Sequence, residues 1–152
     1  MFEIIYGDIV NCNTDAIVNA ANNRLMAGSG VCGAIFRAAG IAELQKECNG
    51  ISYCKTGDAV ITKGYNLKAK YIIHTVGPIY NDGRHNEESL LRSCYRNSMK
   101  LAEKYNLKSI AFPLISSGIY GYPYDEALKT AESEINNYLK NSSLEVYLVL
   151  YK

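Results

Sequence analysis

Tryptophan is absent from the chain, and histidine occurs only twice. No apolar run is long enough to span a bilayer, so no membrane partner is expected. The opening residues MFEIIYGDIV carry acidic side chains and no basic stretch, and they do not predict a signal peptide. Neither sign of charge is in excess, because 16 basic and 15 acidic residues leave a net charge of +1. Without a basic stripe the sequence predicts no sequence-specific binding to nucleic acid.

Paired cysteine motifs are also missing. The cysteines are odd in number and form no C-x-x-C pair: Cys12, Cys32, Cys48, Cys54 and Cys94. This spacing predicts neither a disulfide framework nor a structural zinc site. Free thiols are typical of a reducing compartment, so we expect a cytoplasmic protein without a bound metal.

What the sequence does contain is the composition of one globular domain. Its 152 residues are 48% hydrophobic and 20% charged, which is ordinary for a folded protein. A chain of this length buries roughly two-thirds of its unfolded surface. No linker or repeat divides it, so we expect residues 1–152 to form a single domain, and we expect a monomer.

Strand and helix patterns alternate along the chain. Strands are predicted in FEIIYGDI, AIVNAAN, GDAVITKGY, KYIIHTVGP, SIAFPLI and LEVYLVLY. Helices are predicted from Val31 to Cys48, in NEESLLRSCYRNSMKLAEKYN, and from Pro123 onward. Strands this apolar are typical of a sheet covered on both faces. The pattern predicts one α/β domain with helices on both sides of a mostly parallel or mixed sheet.

Small and polar residues cluster where predicted strands end. The segments are 7–9, 19–22, 28–33 and 116–121. Ligands of such sheets bind at the carboxyl ends of the strands. The four segments therefore predict one shared pocket.

The segment GSGVCG, Gly28–Gly33, matches the pattern G-x-G-x-x-G. A nicotinamide-dinucleotide fold is disfavoured, because five residues separate the segment from its strand and the expected acidic residue is missing. The chain is also too short to add a substrate domain. Backbone N–H groups at a helix start favour an anion, so this is either a phosphate-binding loop or a plain loop-to-helix turn.

The segment SSGIYG, Ser116–Gly121, has the serines and glycines that suit a diphosphate, or an ordinary turn. The Asp8 carboxylate could accept a hydrogen bond from an adenine amino group, or lie in an exposed turn. The Asn22 amide suits a ribose diol, or a turn. None of these residues decides between its two interpretations alone.

Taken in order, GDI, DAIVNAAN, GSGVCGAIFRAAG, IIHTVGP and ISSGIYGYP resemble the macrodomain family, and within it the MacroD-type ADP-ribosyl hydrolases. The resemblance implies a three-layer α/β/α sandwich that binds ADP-ribose at its strand ends and needs no cofactor. It implies the following ligand-binding residues: Asp8, Ile9, Asn22, Gly28, Ser29, Gly30, Val31, Ser116, Ser117, Gly118, Ile119, Tyr120 and Tyr151.

The resemblance also implies a role for each part of this set. Asp8 would meet the adenine amino group, and the Ile9 N–H a ring nitrogen. Asn22 would bind the distal ribose, against which Tyr120 would pack. The two glycine-rich loops would hold the phosphates, and Tyr151 lies where some family members stack an aromatic ring on adenine.

Cys32 stands where the MacroD pattern has an aspartate, and Phe36 stands where it has a histidine. In MacroD-type enzymes that aspartate is proposed to position or activate water, and alphavirus macrodomains resemble this chain in carrying G-V-C. Cys32 is either a small, mildly polar packing residue or a nucleophile. A nucleophile needs a base, and neither His74, in an apolar strand, nor His85, in a polar loop, is placed by sequence to serve.

The resemblance thus implies an enzyme that hydrolyses ADP-ribosyl esters. Its partners would be ADP-ribose and ADP-ribosylated proteins or O-acetyl-ADP-ribose. The residues implied in catalysis are Asn22, Tyr120 and, if it is a nucleophile, Cys32. The alternative is a reader module that binds ADP-ribose without turnover; Asn22 and SSGIYG favour the enzyme, and Cys32 favours the reader.

Overall fold

The computed structural model describes residues 1–151, and within them it contains one sheet and four α-helices. The strands are β1 (Phe2–Tyr6), β2 (Ala16–Ala20), β3 (Ala59–Lys63), β4 (Tyr71–Thr75), β5 (Ser109–Phe112) and β6 (Glu145–Leu150). The helices are α1 (Gly30–Ala39), α2 (Ile41–Ile51), α3 (Glu87–Lys104) and α4 (Tyr124–Leu139). One turn of 3₁₀ helix, Ile9–Asn11, follows β1. No helix of the described chain is both long and apolar enough to cross a membrane.

The strand order is β1-β6-β5-β2-β4-β3, and every neighbouring pair is parallel except β3 with β4. Successive side chains of a strand point to opposite faces. Ile17 and Ile72 accordingly pack under α1 and α2, whereas Val18 and Ile73 pack under α3 and α4. The predicted mixed sheet within a three-layer α/β/α sandwich is confirmed.

The two helical layers are held by large apolar side chains that the sheet buries completely. Phe36 and Leu44 are fully buried on one face, and Tyr95 and Met99 on the other. Burying a side chain of this kind stabilises the fold by about 1.5–3 kcal/mol relative to leaving it exposed. The sheet is therefore a rigid platform for the loops at its ends.

The helix predicted from Val31 to Cys48 is in fact two helices, and that prediction was wrong. Gly40 ends α1 and precedes α2 with a φ of +111°, a region that favours glycine. Helical spacing of apolar residues continues across Gly40, which is why periodicity alone missed the break. Pro123 lies one residue before the start of α4, rather than at its first position.

Candidate ligand-binding cleft

A cleft of roughly 410 Å³ opens at the carboxyl ends of the parallel strands. Clefts of this size commonly hold small ligands. Its walls are the segments that follow β1, β2 and β5, the start of α1, and the end of β6. The four segments predicted to share one pocket do meet here.

The structure brings almost all of the predicted site residues to this cleft. The lining includes Ile9, Asn22, Gly28, Ser29, Gly30, Val31, Cys32, Ser116, Ser117, Gly118, Ile119, Tyr120 and Tyr151. Asp8 is not part of the lining. Its carboxylate accepts a hydrogen bond from the Val10 N–H at 3.2 Å and caps the 3₁₀ helix.

Sequence reasoning missed several lining residues. Tyr124, half exposed at the first turn of α4, lines the cleft, as do Gly77, Val149 and Leu150. Tyr124 fitted the helical register of α4, and that hid its position beside the second glycine-rich loop. Its place directly after that loop was the signal that could have identified it.

The first glycine-rich loop, residues 28–33, leads into α1, and two of its glycines are required by its path. Gly30 has a φ of +59°, and a Cβ atom on Gly33 would lie 2.4 Å from the Gly28 carbonyl oxygen. Ser29 is the N-cap of α1, but its side chain makes no capping hydrogen bond. First-turn N–H groups of a helix have no intrahelical acceptor, so this loop offers donors and a helix dipole to an anion.

The second glycine-rich loop, residues 116–121, is tied down by its own serines. The Ser116 hydroxyl donates to the Pro78 carbonyl and the Ser117 hydroxyl to the Leu114 carbonyl, both at 2.8 Å. Ser116 has a φ of +68°, a strained conformation for a residue other than glycine. A Cβ atom on Gly77 would lie 2.2 Å from the Ser116 hydroxyl oxygen, so that glycine makes the room. The serine hydrogens are engaged within the protein, and the loop presents its backbone to the cleft.

Asn22 is held in one orientation by the backbone of Met26. Its Nδ2 donates to the Met26 carbonyl at 2.8 Å, and its Oδ1 accepts from the Met26 N–H at 3.0 Å. A carboxamide has a second N–H and further lone-pair capacity. Asn22 is thus oriented before any ligand arrives and keeps a donor and an acceptor free for one.

The Cys32 thiol lies in the wall of the cleft and is nearly buried. Its sulfur is 3.7 Å from Asn19 Nδ2 and 3.6 Å from the Met26 carbonyl oxygen. Burial raises the pKa of this thiol, although the hydrogen bond from Asn19 acts in the opposite direction. A buried neutral thiol without a base among these partners is a poor nucleophile, so the geometry favours the packing interpretation of Cys32.

His74, which lies in the apolar strand β4, is fully buried behind the cleft. Its ring nitrogens lie 3.1 Å from Asn19 Nδ2 and 2.9 Å from Thr62 Oγ1. Burial lowers the pKa of His74 to about 3, so the ring is neutral at physiological pH. Phe36 packs against it edge-on, with the ring centroids 6.4 Å apart.

The cleft is uncharged. Within residues 1–151 its lining contains no aspartate, glutamate, lysine, arginine or histidine. Any anion that binds there would be held by backbone N–H groups and by the dipole of α1 rather than by a cationic side chain.

One cluster outside the cleft has the composition of a metal site. Ligand atoms of Asp82, His85 and Glu87 lie within 4.8 Å of one another. The Glu87 carboxylate, however, accepts hydrogen bonds from four backbone N–H groups of residues 81–85, at 2.6 to 3.2 Å. The Asp82 carboxylate lies 2.8 Å from His85 Nδ1 and raises the pKa of that histidine. This network fastens the loop that leads into α3, which accounts for the cluster without a metal.

The fold and the cleft define an α/β/α protein with a small-molecule site built from strand-end loops and a helix N-terminus. Residues 18–131 match the family described as Macro domain. A macro domain-containing protein of Methanosarcina mazei is 53% identical over 150 residues, which cover 97% of this chain and 80% of that protein. An O-acetyl-ADP-ribose deacetylase of Escherichia fergusonii is 47% identical over 154 residues, covering 97% and 86%.

Solved structures show the same similarity. The Oceanobacillus iheyensis macrodomain with ADP superimposes with a TM-score of 0.94 at 44% identity, covering 98% of this chain and 82% of that one. The Trypanosoma brucei macrodomain in complex with ADP-ribose gives 0.87 at 39% identity, covering 96% and 62%. The chain belongs to the macro domain family.

Proposed function

We propose that this protein binds ADP-ribose in the cleft and hydrolyses ADP-ribosyl esters. The substrates are mono-ADP-ribosylated aspartate or glutamate side chains of proteins, and O-acetyl-ADP-ribose. The observation that carries the proposal is the uncharged cleft in which the start of α1 faces the second glycine-rich loop. The ADP and ADP-ribose of the solved relatives, and the deacetylase name of one relative, support the same ligand.

Each part of the ligand has a matching part of the cleft. The adenine ring lies between Ile9 and Tyr151, and Asp8 keeps one carboxylate oxygen beyond its cap for the amino group. The diphosphate lies between the two glycine-rich loops. The distal ribose contacts Asn22, whose orientation the Met26 backbone sets in advance, and packs against Tyr120.

Among the described residues, no carboxylate, imidazole or amine lines the cleft beside the two glycine-rich loops and Asn22, so the proposed mechanism is assisted by the substrate. A phosphate oxygen of the bound ligand holds a water molecule near C1″ of the distal ribose and accepts its proton. The water oxygen forms a bond to C1″ while the bond from C1″ to the acyl oxygen breaks, and the carboxylate leaves as an anion. Orientation by Asn22 and Tyr120 contributes several kcal/mol of barrier reduction, by analogy with well-oriented intramolecular reactions.

The second candidate is a reader module that binds ADP-ribose without turnover. Cys32 favours it, because a neutral thiol stands where the MacroD pattern has an aspartate. Both candidates predict the same complex, and they differ only in whether an ester bond breaks.

The first test combines binding with turnover. We expect ADP-ribose to bind in calorimetry, and we expect ADP-ribose to be released from a protein carrying glutamate-linked mono-ADP-ribose. Asn22→Ala should weaken ADP-ribose binding about tenfold, which corresponds to one well-made hydrogen-bonding group. Release should fall at least in proportion, because orientation of the ribose is lost.

The matched control is Asn136→Ala, which removes an exposed amide from the last turn of α4. It should change neither binding nor release. Binding without release would establish the reader instead of the enzyme. No binding of ADP-ribose would overturn both candidates.

A further inference from the structure

A chain of hydrogen bonds runs behind the cleft from the edge strand β3 to Asn22. It begins at Thr62 in β3 and passes through His74 in β4 and Asn19 in β2, all of which are buried and none of which lines the cleft in the described structure. Asn19 and His74 lie opposite each other in the β2–β4 register. The chain then reaches Cys32, which does line the cleft.

The direction of these hydrogen bonds follows from the donors that are present. Asn19 Nδ2 carries hydrogens and no lone pair, so at 3.1 Å it donates and His74 Nδ1 accepts. The hydrogen of the neutral ring is then on Nε2, which donates to the Thr62 hydroxyl oxygen at 2.9 Å, and that hydroxyl also lies 3.2 Å from the Lys63 carbonyl oxygen. With the hydrogen on Nε2, a reversed Asn19 amide would place its oxygen against the lone pair of Nδ1, so this tautomer of His74 and this orientation of the amide require each other.

The hydrogen bonds that continue from Asn19 reach Asn22 through one shared acceptor, the Met26 carbonyl. The other hydrogen of Asn19 Nδ2 points to Cys32 Sγ, and the Cys32 thiol donates to the Met26 carbonyl. The same carbonyl accepts the hydrogen bond from Asn22 Nδ2. An ionised aspartate at position 32 has no hydrogen to donate, so it could not make this contact with Met26.

One atom of this series of hydrogen-bonded residues has no hydrogen-bond partner. Asn19 Oδ1 is buried and makes no hydrogen bond within residues 1–151. Unpartnered buried polar atoms are rare in native proteins and call for an explanation. The amide orientation that supplies hydrogens to both His74 and Cys32 is the one that leaves the Asn19 oxygen without a donor.

We propose that Cys32, Asn19 and His74 are positioning residues that hold the Met26 carbonyl, and through it Asn22, in the orientation that receives the distal ribose. Cys32 then takes part in the chemistry through its hydrogen bonds and forms no bond with the substrate. The inference rests on the proposed contact between Asn22 and the distal ribose.

ADP and ADP-ribose separate this role from a general structural one, because ADP lacks the distal ribose. In calorimetry, Cys32→Ala should weaken ADP-ribose binding about fivefold and leave ADP binding within about twofold of the wild type. Cys32→Ser retains a donor and an acceptor, so it should restore most of the preference for ADP-ribose. Cys48→Ala removes another buried thiol from the same hydrophobic cluster and should change neither affinity.

A second measurement tests the same positioning role without a ligand. In NMR spectra of the unliganded protein, His74 should carry its hydrogen on Nε2, and the Asn22 side-chain amide should exchange with solvent faster in Cys32→Ala than in wild type or Cys48→Ala. A hydrogen on His74 Nδ1, unaltered Asn22 exchange, or an intact ADP-ribose preference in Cys32→Ala would each overturn the positioning role. A wild type that binds ADP-ribose no better than ADP would instead overturn the proposed ribose contact, and with it the positioning of Asn22 for that ribose.

Discussion

At the scale of the residue, Gly33 shows how closely the first glycine-rich loop is fitted to α1. A Cβ atom at this position would overlap the Gly28 carbonyl, which is part of the backbone and cannot rotate away. We expect Gly33→Ala to lower the free energy of unfolding by about 1–3 kcal/mol, the usual range for overpacking. The displaced loop should also weaken ADP-ribose binding, because its N–H groups no longer converge.

Urea unfolding and calorimetry would measure both effects. Gly50→Ala is the matched control, since Gly50 lies in α2 with no atom within 4 Å of its Cβ position. That substitution should stabilise the protein by about 0.5–1 kcal/mol through its helix propensity. A Gly33→Ala protein as stable as the wild type would refute the close approach.

At the scale of the element, the start of α3 depends on the Glu87 carboxylate. Its backbone hydrogen bonds, with the N–H of Asn81 contributing most and those of His85 and Gly83 adding to it, outweigh desolvation and lower the pKa of Glu87 to about 2. A carboxylate whose pKa is lower in the folded state stabilises the fold above its unfolded pKa, and this contribution is lost as the pH falls toward the folded value. Glu87→Gln should therefore lower the melting temperature by a few degrees at pH 7 and by much less near pH 2.

Circular dichroism at a series of pH values would record this difference. Glu88→Gln is the control, because Glu88 is the exposed neighbour that pairs with Arg92 at 3.0 Å. Exposed ion pairs contribute little to stability, so the melting temperature of Glu88→Gln should stay near that of the wild type at every pH. Equal melting temperatures for Glu87→Gln and wild type at pH 7 would contradict the fastening role.

Elements were predictable from the sequence where burial repeats at a regular spacing, as in the strands that carry Ile17 and Ile72. Structural features of only one to three residues could not be predicted from the sequence. The break at Gly40 depends on one φ angle, and the 3₁₀ turn after Asp8 is too short to show a period. The direction of β3 was equally hidden, because alternation is the same in parallel and antiparallel strands.

In the cleft, too, regular sequence patterns were predictive and individual side-chain contacts were not. Glycine and serine patterns located both loops, but they could not show that the hydroxyls of Ser116 and Ser117 turn inward to the backbone. Contacts between distant segments left no pattern either. The thiol of Cys32 touches Asn19 and Met26 only because β2 and α1 pack together.

At the scale of the whole molecule, the absence of charged groups from the described cleft governs how the proposed reaction should respond to pH. Burial holds Cys32 neutral and keeps the His74 ring uncharged down to about pH 3. We expect kcat for ester release to vary by no more than about twofold between pH 5 and 8, because no lining carboxylate, imidazole or amine changes charge.

The rates should be corrected for uncatalysed ester hydrolysis in the same buffers. Circular dichroism in each buffer would show that the protein stays folded over this range. A bell-shaped profile would show that a protein acid or base takes part in the reaction, and it would refute the substrate-assisted mechanism.

The parallel pairing of β1 with β6 also places Met1 and Tyr151 at opposite ends of these two strands. The amino group of Met1 donates to the Leu144 carbonyl at the edge where β6 begins, whereas Tyr151 lies in the lining of the cleft. A sensor built from this protein should therefore be anchored to its chip through the amino terminus, which leaves the cleft facing the sample. A fluorophore attached near Tyr151 would instead report directly on whether the cleft is occupied.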